Sequence, residues 1–497
     1  MTNVKKGAGF PSPDLVRAVL KGHSGLGLAF AALLYLVCLT GTIAVFLDEF
    51  QRWENPAAEH METMSGDAVQ AAYGTALART EKPVEHVLII MPSGDRPWPT
   101  LRVDAKDGSQ TTWIADSAGR ITGHVRDGWT KFLTRLHINL HLPQSWGIFI
   151  VGLTGVALLS SLISGVLAHP RIFRDAFHLR LGGSRRLQEA DLHNRIGVWA
   201  LPFHITVSLT GALLGLSTVI IGAIGMAVFQ GDTTKVYAIF TPPHPAQDAR
   251  AAPPIDLRPM FAQLAARVPE GRISHLVVEH PTEMGGTTMF ELDDGSSRLA
   301  NADTYAFDRA GKLYHEHKAA ENNVGQQILG SLSLLHFGWF GGGVIKIAYV
   351  LLGLGLTYLA AGGVNIWLVR RRDKGRPAPG WERVWTATVW GQPVALASAA
   401  LTALFTASVT PLIWTWGIVS IIALGAAALF PRVTLSRIGR GATGALMITL
   451  AVFHSTYIGT DDGMALIVDG ALGLIGLGLL ATFGGKVPIF RKTPQAA

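Results

Sequence analysis

Four histidines of this 497-residue chain recur in a fixed frame. His23 is followed by Gly27 and, 17 positions on, by Thr40-Gly41 inside an apolar run. His193 is followed by Gly197 and, again 17 positions on, by Thr210-Gly211 inside another. Both triplets read Leu-Thr-Gly, at Leu39-Thr40-Gly41 and Leu209-Thr210-Gly211. His137 and His336, each preceded by leucine, form a second pair. Identical spacing between a histidine and a membrane-span landmark predicts an internal duplication. Repeat-built membrane proteins place functional sites between their halves. Paired imidazoles inside a membrane point to a bound metal or haem, because imidazole is a good iron ligand and burial tunes the potential.

Composition sets the class. The chain is 49% hydrophobic and 15% charged, against about 25% charged for soluble domains. That predicts a membrane protein. The net charge of +7 comes from basic residues beside apolar runs, so it argues for topology and against nucleic-acid binding. Cys38 is the single cysteine. One cysteine excludes an intrachain disulfide, a Cys-ligated iron–sulfur cluster and a CxxCH haem attachment. Any haem is therefore expected to be held non-covalently, by histidine. The first apolar run is too long for a signal-peptide core, and no small-residue cleavage site follows it.

Eight apolar stretches have the roughly 17 to 25 residues that a bilayer core requires. They are Ser24–Phe46, Trp146–Ala168, Ile196–Phe229, Val344–Val369, Val384–Val409, Leu412–Phe430, Ala442–Ile458 and Met464–Phe483. The third exceeds one crossing, so it is expected to tilt or to end along the interface. The split between the fifth and sixth rests on Thr410-Pro411. Arg and Lys cluster before span one, between spans two and three, after span four, between spans six and seven, and after span eight. All these clusters fall on one side, which the positive-inside rule makes cytoplasmic, with both termini inside. The chain then divides at 1–47, 48–143, 144–229, 230–343, 344–383 and 384–497. These are a first span, an outer domain, two spans with an Arg-rich loop, a second outer domain, a fourth span, and a four-span extension.

Each outer segment reads as one helix against a short antiparallel sheet. The first has a helical stretch near Ser65–Arg79, then strands at Val84–Met91, Thr100–Val103 and Thr111–Ala115, with turn chemistry at Asp116–Gly119. The second has a helical stretch at Leu257–Arg267, then strands near His275–Glu279, Thr287–Leu292 and Thr304–Asp308. A repeat of span, outer domain and span returns to the side it started from. The halves then relate by an axis along the membrane normal. Equivalent residues face each other at equal depth: His23 with His193 near the cytoplasmic face, His137 with His336 near the periplasmic face.

This order of motifs resembles the PepSY-associated transmembrane family. The resemblance rests on the His-x-x-x-Gly and Leu-Thr-Gly of spans one and three, and on the Leu136-His137 and Leu335-His336-Phe337-Gly338 entries to spans two and four. The Ser164-Gly165 and Gly362-Gly363 exits add to it. It covers about residues 15–372 and leaves spans five to eight outside. The fold it implies is an α-helical polytopic membrane protein of about eight spans, with two periplasmic α+β PepSY-like domains in an internal duplication. Members include inner-membrane ferric-siderophore reductases that carry b-type haems. The resemblance implies a similar electron-transfer role, with two haems b.

The remaining histidines carry alternatives. A histidine at a span boundary is often only an interfacial polar residue, and the pairing across repeats is what argues otherwise. His141 follows His137 by four positions and would share its helical face. It could replace His137 as ligand or bond a propionate, and Pro143 would kink the helix there. His204 lies 11 positions after His193, which on a continuous helix is about 16 Å deeper and on nearly the same face. Its repeat counterpart is Leu34, so it either ligates a deeper haem or bonds a backbone carbonyl. His169 and His178 read as interfacial, His454 has no evident partner, and His315-x-His317 reads as an exposed strand or turn. Thr40 and Thr210 can bond their own helix backbones. The span glycines allow close helix packing and make room for a flat macrocycle.

No GxGxxG after a strand and no P-loop occurs, so a standard nucleotide module is not expected. Electrons would come from a soluble cytoplasmic reductase or the quinol pool. The expectation is an inner-membrane haem protein passing electrons to a periplasmic acceptor such as a ferric siderophore, in contact with membrane lipid. The alternative is a non-enzymatic anchored module that binds a periplasmic protein, with structural histidines.

Overall fold

The computed structural model describes residues 12–169 and 185–483, apart from 240, 241, 244, 246, 294, 297 and 298. Arg171, Arg174, His178 and Arg180 of the expected inner loop lie outside the described residues. Helix α1 (Pro13–Ala29) starts on a proline behind Ser12, whose side chain accepts from the Leu15 amide, two ordinary helix-start signals. The chain bends by 69° at Phe30 into α2 (Ala31–Ala44). Then come α3 (Leu47–Glu54), α4 (Gly66–Ala78), β1 (Val84–Ile90), β2 (Thr100–Ala105), β3 (Gln110–Ala115), β4 (Ile121–His124), α5 (Gly128–Asn139) and α6 (Gln144–Ala168).

The next stretch runs through the same kinds of element in the same order, with one short helix added. Helix α7 (Arg185–Trp199) bends by 72° at Ala200 into α8 (Leu201–Gly215). It is followed by α9 (Ser217–Val228), α10 (Thr233–Tyr237), α11 (Arg258–Arg267), β5 (Arg272–Glu279), β6 (Thr287–Asp293), β7 (Ala302–Asp308), β8 (Leu313–His317), α12 (Val324–Phe337) and α13 (Gly342–Asp373). The two bend residues, Phe30 and Ala200, are 170 positions apart, as are His23 and His193. Four helices complete the chain: α14 (Pro379–Ala403), α15 (Val409–Leu429), α16 (Arg432–Tyr457) and α17 (Gly463–Ala481).

Among the described residues, α6, α13, α15 and α17 are long and apolar enough to cross a membrane. The bent pairs α1–α2 and α7–α8 bring the number to six if each is one span. The molecule is thus a mostly helical membrane protein that also carries an antiparallel sheet. The expected first span, Ser24–Phe46, is not one rod. Polar residues such as Lys21 and His23 sit on α1, and the unbroken apolar run belongs to α2. The expected third span breaks at Ala200 and again at Leu216. A hydropathy pattern misses such breaks because apolar residues flank them. The fifth and sixth stretches separate between Leu404 and Ser408. Pro411 falls in the first turn of α15, where its missing N–H leaves no intrahelical bond unmade.

All eight strands form one antiparallel sheet, in the order β4-β3-β2-β1-β5-β6-β7-β8. The two outer segments therefore do not have separate sheets. Strand β1 pairs with β5, His86 opposite Glu279 and Ile90 opposite His275. Neither strand's own sequence marks this joint. Helices α4 and α11 cover one face. Val69, Tyr73, Met260 and Leu264 meet Val87, Leu101, Leu276 and Phe290 in a single core. Trp113 belongs to this core, whereas Trp129 packs against the last four helices. His315 and His317 sit on edge strand β8.

Candidate functional site

A cavity of about 320 Å³ lies between α2, α5, α6, α8, α12 and α13. That is within the range of small-ligand sites, about 300–1,000 Å³. Its wall is mostly apolar, with Leu34, Val37, Val151, Leu158, Val207 and Leu356 among the lining residues. His137 and His336 face each other across it, ring centroids 6.2 Å apart and planes inclined by 25°.

Each ring stands on the last turn of a short helix that stops just beyond it. Helix α5 ends because Leu140 and His141 take left-handed conformations, at φ 57° and 54°. Helix α12 ends at Gly338, at φ 76°, the usual residue for that geometry. The two helices pack on α2 and α8 respectively.

The Thr-Gly steps of α2 and α8 receive these rings. The Thr40 hydroxyl donates to the Leu36 carbonyl at 2.8 Å, which leaves its oxygen facing His137 Nδ1 at 3.3 Å. Nδ1 also lies 3.1 Å from the Val37 carbonyl. A carbonyl only accepts, so the ring proton is on Nδ1 and the lone pair is on Nε2. Likewise Thr210 donates to the Thr206 carbonyl at 2.7 Å and meets His336 Nδ1 at 3.0 Å. A Cβ on Gly41 would lie 2.6 Å from His137 Cε1, and one on Gly211 would lie 2.8 Å from His336 Cε1. Each glycine is thus a seat for an imidazole. The threonines do bond their own helix backbones, as expected, but they also hold the histidines, which the sequence did not reveal.

His23 and His193 lie on α1 and α7, before the bends. His23 Nδ1 donates to the Ser161 carbonyl of α6 at 2.9 Å and lies 3.3 Å from Ser164 Oγ. A Cβ on Gly165 would meet its ring at 3.4 Å. His193 lies over Gly362 and Gly363 of α13, each of whose Cβ positions is 3.8 Å from its ring. Its buried Nδ1 has no partner among the described residues. The Ser-Gly and Gly-Gly steps therefore lie against this pair at ordinary contact distance, without the tight fit of the Thr-Gly steps.

His141 does not share a face with His137. The turn at Leu140 carries it out of the helix, and its ring stacks on Phe132 at 4.8 Å, away from the cavity wall. It lies outside the spans, and burial holds its imidazole down, to about 4. His204 is fully buried, with Nε2 3.4 Å from the Leu352 carbonyl. The bend at Ala200 separates it from the line of His193, so the depth expected from a continuous helix does not apply. Lys346, on α13 and 3% exposed, pairs with Glu49 at 2.9 Å, Asp48 at 3.3 Å and Asp95 at 3.5 Å. This ties α13 to α3 and to the β1–β2 connection.

Residues 20–370 match the family described as PepSY-associated TM region. The chain is also similar to the uncharacterized protein PA4219 of Pseudomonas aeruginosa, at 30% identity over 249 residues, 48% of this chain and 63% of that protein. The match thus spans less than two thirds of that relative's length. The family match takes in both Leu-Thr-Gly steps and all four paired histidines. With well over half the sequence matched, this chain belongs to the PepSY-associated TM region family.

Proposed function

We propose that this protein is an inner-membrane b-type haem protein that passes electrons across the membrane to a periplasmic acceptor, a ferric siderophore. The observation that carries the reading is the His137–His336 pair. Their rings stand 6.2 Å apart between apolar walls, so His137 and His336 are the residues that would hold the haem. The Val37 carbonyl fixes the His137 proton on Nδ1, the usual way a metal-bound histidine is oriented. The glycine seats and apolar walls suit a flat macrocycle. Bound between these rings, haem b supplies one-electron transfer chemistry. The protein's part is to present Nε2, fix ring orientation and exclude water.

His23 and His193 would hold a second haem, nearer the Arg-rich side. His141 and His204 serve packing in this reading, not ligation. The repeated element order and the 170-residue offset support an internal duplication, and with α14 and α16 counted the spans number eight. The Arg and Lys clusters support cytoplasmic termini and a periplasmic sheet unit. The donor would be a soluble reductase or a quinol. Reduction of Fe³⁺ to Fe²⁺ weakens its hold by hard oxygen ligands and so releases the metal. The test is reduction of ferric hydroxamate, catecholate and citrate complexes by haem-loaded protein in proteoliposomes with reductant inside. Complex-dependent iron release supports the proposal, and failure with every ferric complex removes it.

A further inference from the structure

Helices α14–α17 lie outside the family match, and the cavity does not need them for its walls. Helices α14 and α15 touch α2, α5 and α13, and α16 and α17 are tied to the first half of the chain by two consecutive residues of α3, Arg52 and Trp53. Arg52 donates to both carboxylate oxygens of Asp462, at 2.7 and 2.6 Å. Trp53 is 1% exposed, and its Nε1 donates to Asp469 at 2.8 Å. His454, fully buried, stacks on the Trp53 ring at 4.2 Å. Its Nε2 donates to the Trp53 carbonyl at 2.6 Å, and its Nδ1 lies 2.8 Å from Asp469. A carbonyl only accepts, so Nε2 carries a proton, and one further proton is shared between Nδ1 and the Asp469 carboxylate. Every polar atom of this buried cluster is thereby satisfied, the condition under which such a network rigidifies its surroundings.

The next residue, Glu54, turns to the other side. Its two oxygens accept the backbone amides of Trp129 and Thr130, at 2.7 and 3.1 Å. Those are the second and third amides of α5, the helix that carries His137. Asp127, at the cap position of α5, makes no side-chain cap. Helix α12, which carries His336, is different. It caps itself with Asn323 and Gln326 and buries no residue. By contrast α5 buries Phe132, Leu133 and Leu136 against α14 and α15.

We infer that α14–α17 are a positioning module for His137. The His454–Asp469 pair seats Trp53, the adjoining Glu54 caps α5, and α14–α15 clamp the apolar back of that helix. Trp53, Glu54, His454 and Asp469 are positioning residues, and the two walls of the cavity are unequal. The His137 wall is backed by α14 and α15, and the His336 wall packs on α8 without that second layer. This rests on the proposed role of His137, but the coupling itself does not depend on haem.

The test is hydrogen exchange, read by mass spectrometry on the full chain in detergent, with visible spectra alongside. Wild type is compared with Glu54→Gln and with Asp469→Leu, which removes the partner of both Trp53 Nε1 and His454 Nδ1 and does not touch α5. Loss of a cap predicts exchange about tenfold faster over residues 129–133 in both variants, with α12 unchanged. Where haem is bound, the same variants broaden the low-spin signal of the His137 site. Unchanged α5 exchange in Asp469→Leu overturns the inference, as does equal acceleration of α5 and α12. A wild type that binds no haem removes the haem reading instead, and the exchange comparison still decides this one.

Discussion

Gly41 and His137 fit together with no room for a methyl group, because a Cβ on the glycine would lie 2.6 Å from the imidazole Cε1. Gly211 stands in the same relation to His336, at 2.8 Å. Real Cβ atoms do not approach that closely, so either substitution must displace a ring. Gly41→Ala and Gly211→Ala should each lower the low-spin haem signal per chain at unchanged expression. Gly27→Ala and Gly197→Ala are the controls, since nothing lies within 4 Å of either Cβ position. Those two should be neutral, or stabilising by up to about 1 kcal/mol, because alanine replaces glycine within a helix. Pyridine haemochrome content and thermal unfolding of the four variants check this.

The paired geometry predicts paired losses. His137→Ala and His336→Ala should each remove the same haem, and the double variant should lose no more than either single one. His23→Ala and His193→Ala should together define the second haem. Haem per chain, with redox titration of each variant, checks the pairing. A variant of one pair that removes both haems would contradict it.

Thr40 and Thr210 should tune rather than bind. Each oxygen accepts from Nδ1, and removing an acceptor there lowers the basicity of the bound imidazole. Thr40→Val and Thr210→Val should keep haem and raise the midpoint potential of that site. Comparable rises are expected for the two, because each ring also keeps a backbone carbonyl, Val37 for His137 and Val207 for His336. Potentiometric titration followed at the α band reads the shift.

His141 should matter for stability and not for ligation. Burial lowers its folded-state value from 6.5 to about 4. The unfolded chain then binds the extra proton first as pH falls. Stability is full above about 6.5 and is lost as pH falls toward about 4. His141→Asn tolerates the left-handed backbone, so it should keep the haem spectrum and show a shallower acid loss. Thermal unfolding of both proteins between pH 7 and 4 checks the slope.

The sequence made much of this site legible. The 17-residue frame and the Leu-Thr-Gly triplets marked His23, His193 and the two helices that seat His137 and His336. What remained hidden depended on backbone direction. The left-handed turn at Leu140 separates His141 from His137, and the bend at Ala200 separates His204 from His193. A proline follows each break, Pro143 and Pro202, but it does not show which way the chain turns. The β1–β5 joint was hidden for another reason, because edge pairing between distant strands leaves no mark in either one. His454 had no partner in sequence because Trp53 lies 401 positions away.

The central claim is that haem binds between facing histidines. The most direct measurement is the visible absorption spectrum of the detergent-purified protein, oxidised and then reduced with dithionite. A Soret band that shifts on reduction, with narrow α and β bands, is the predicted result, and His137→Ala should diminish it. A protein with no Soret band, even after haem supplementation during expression, would contradict the account.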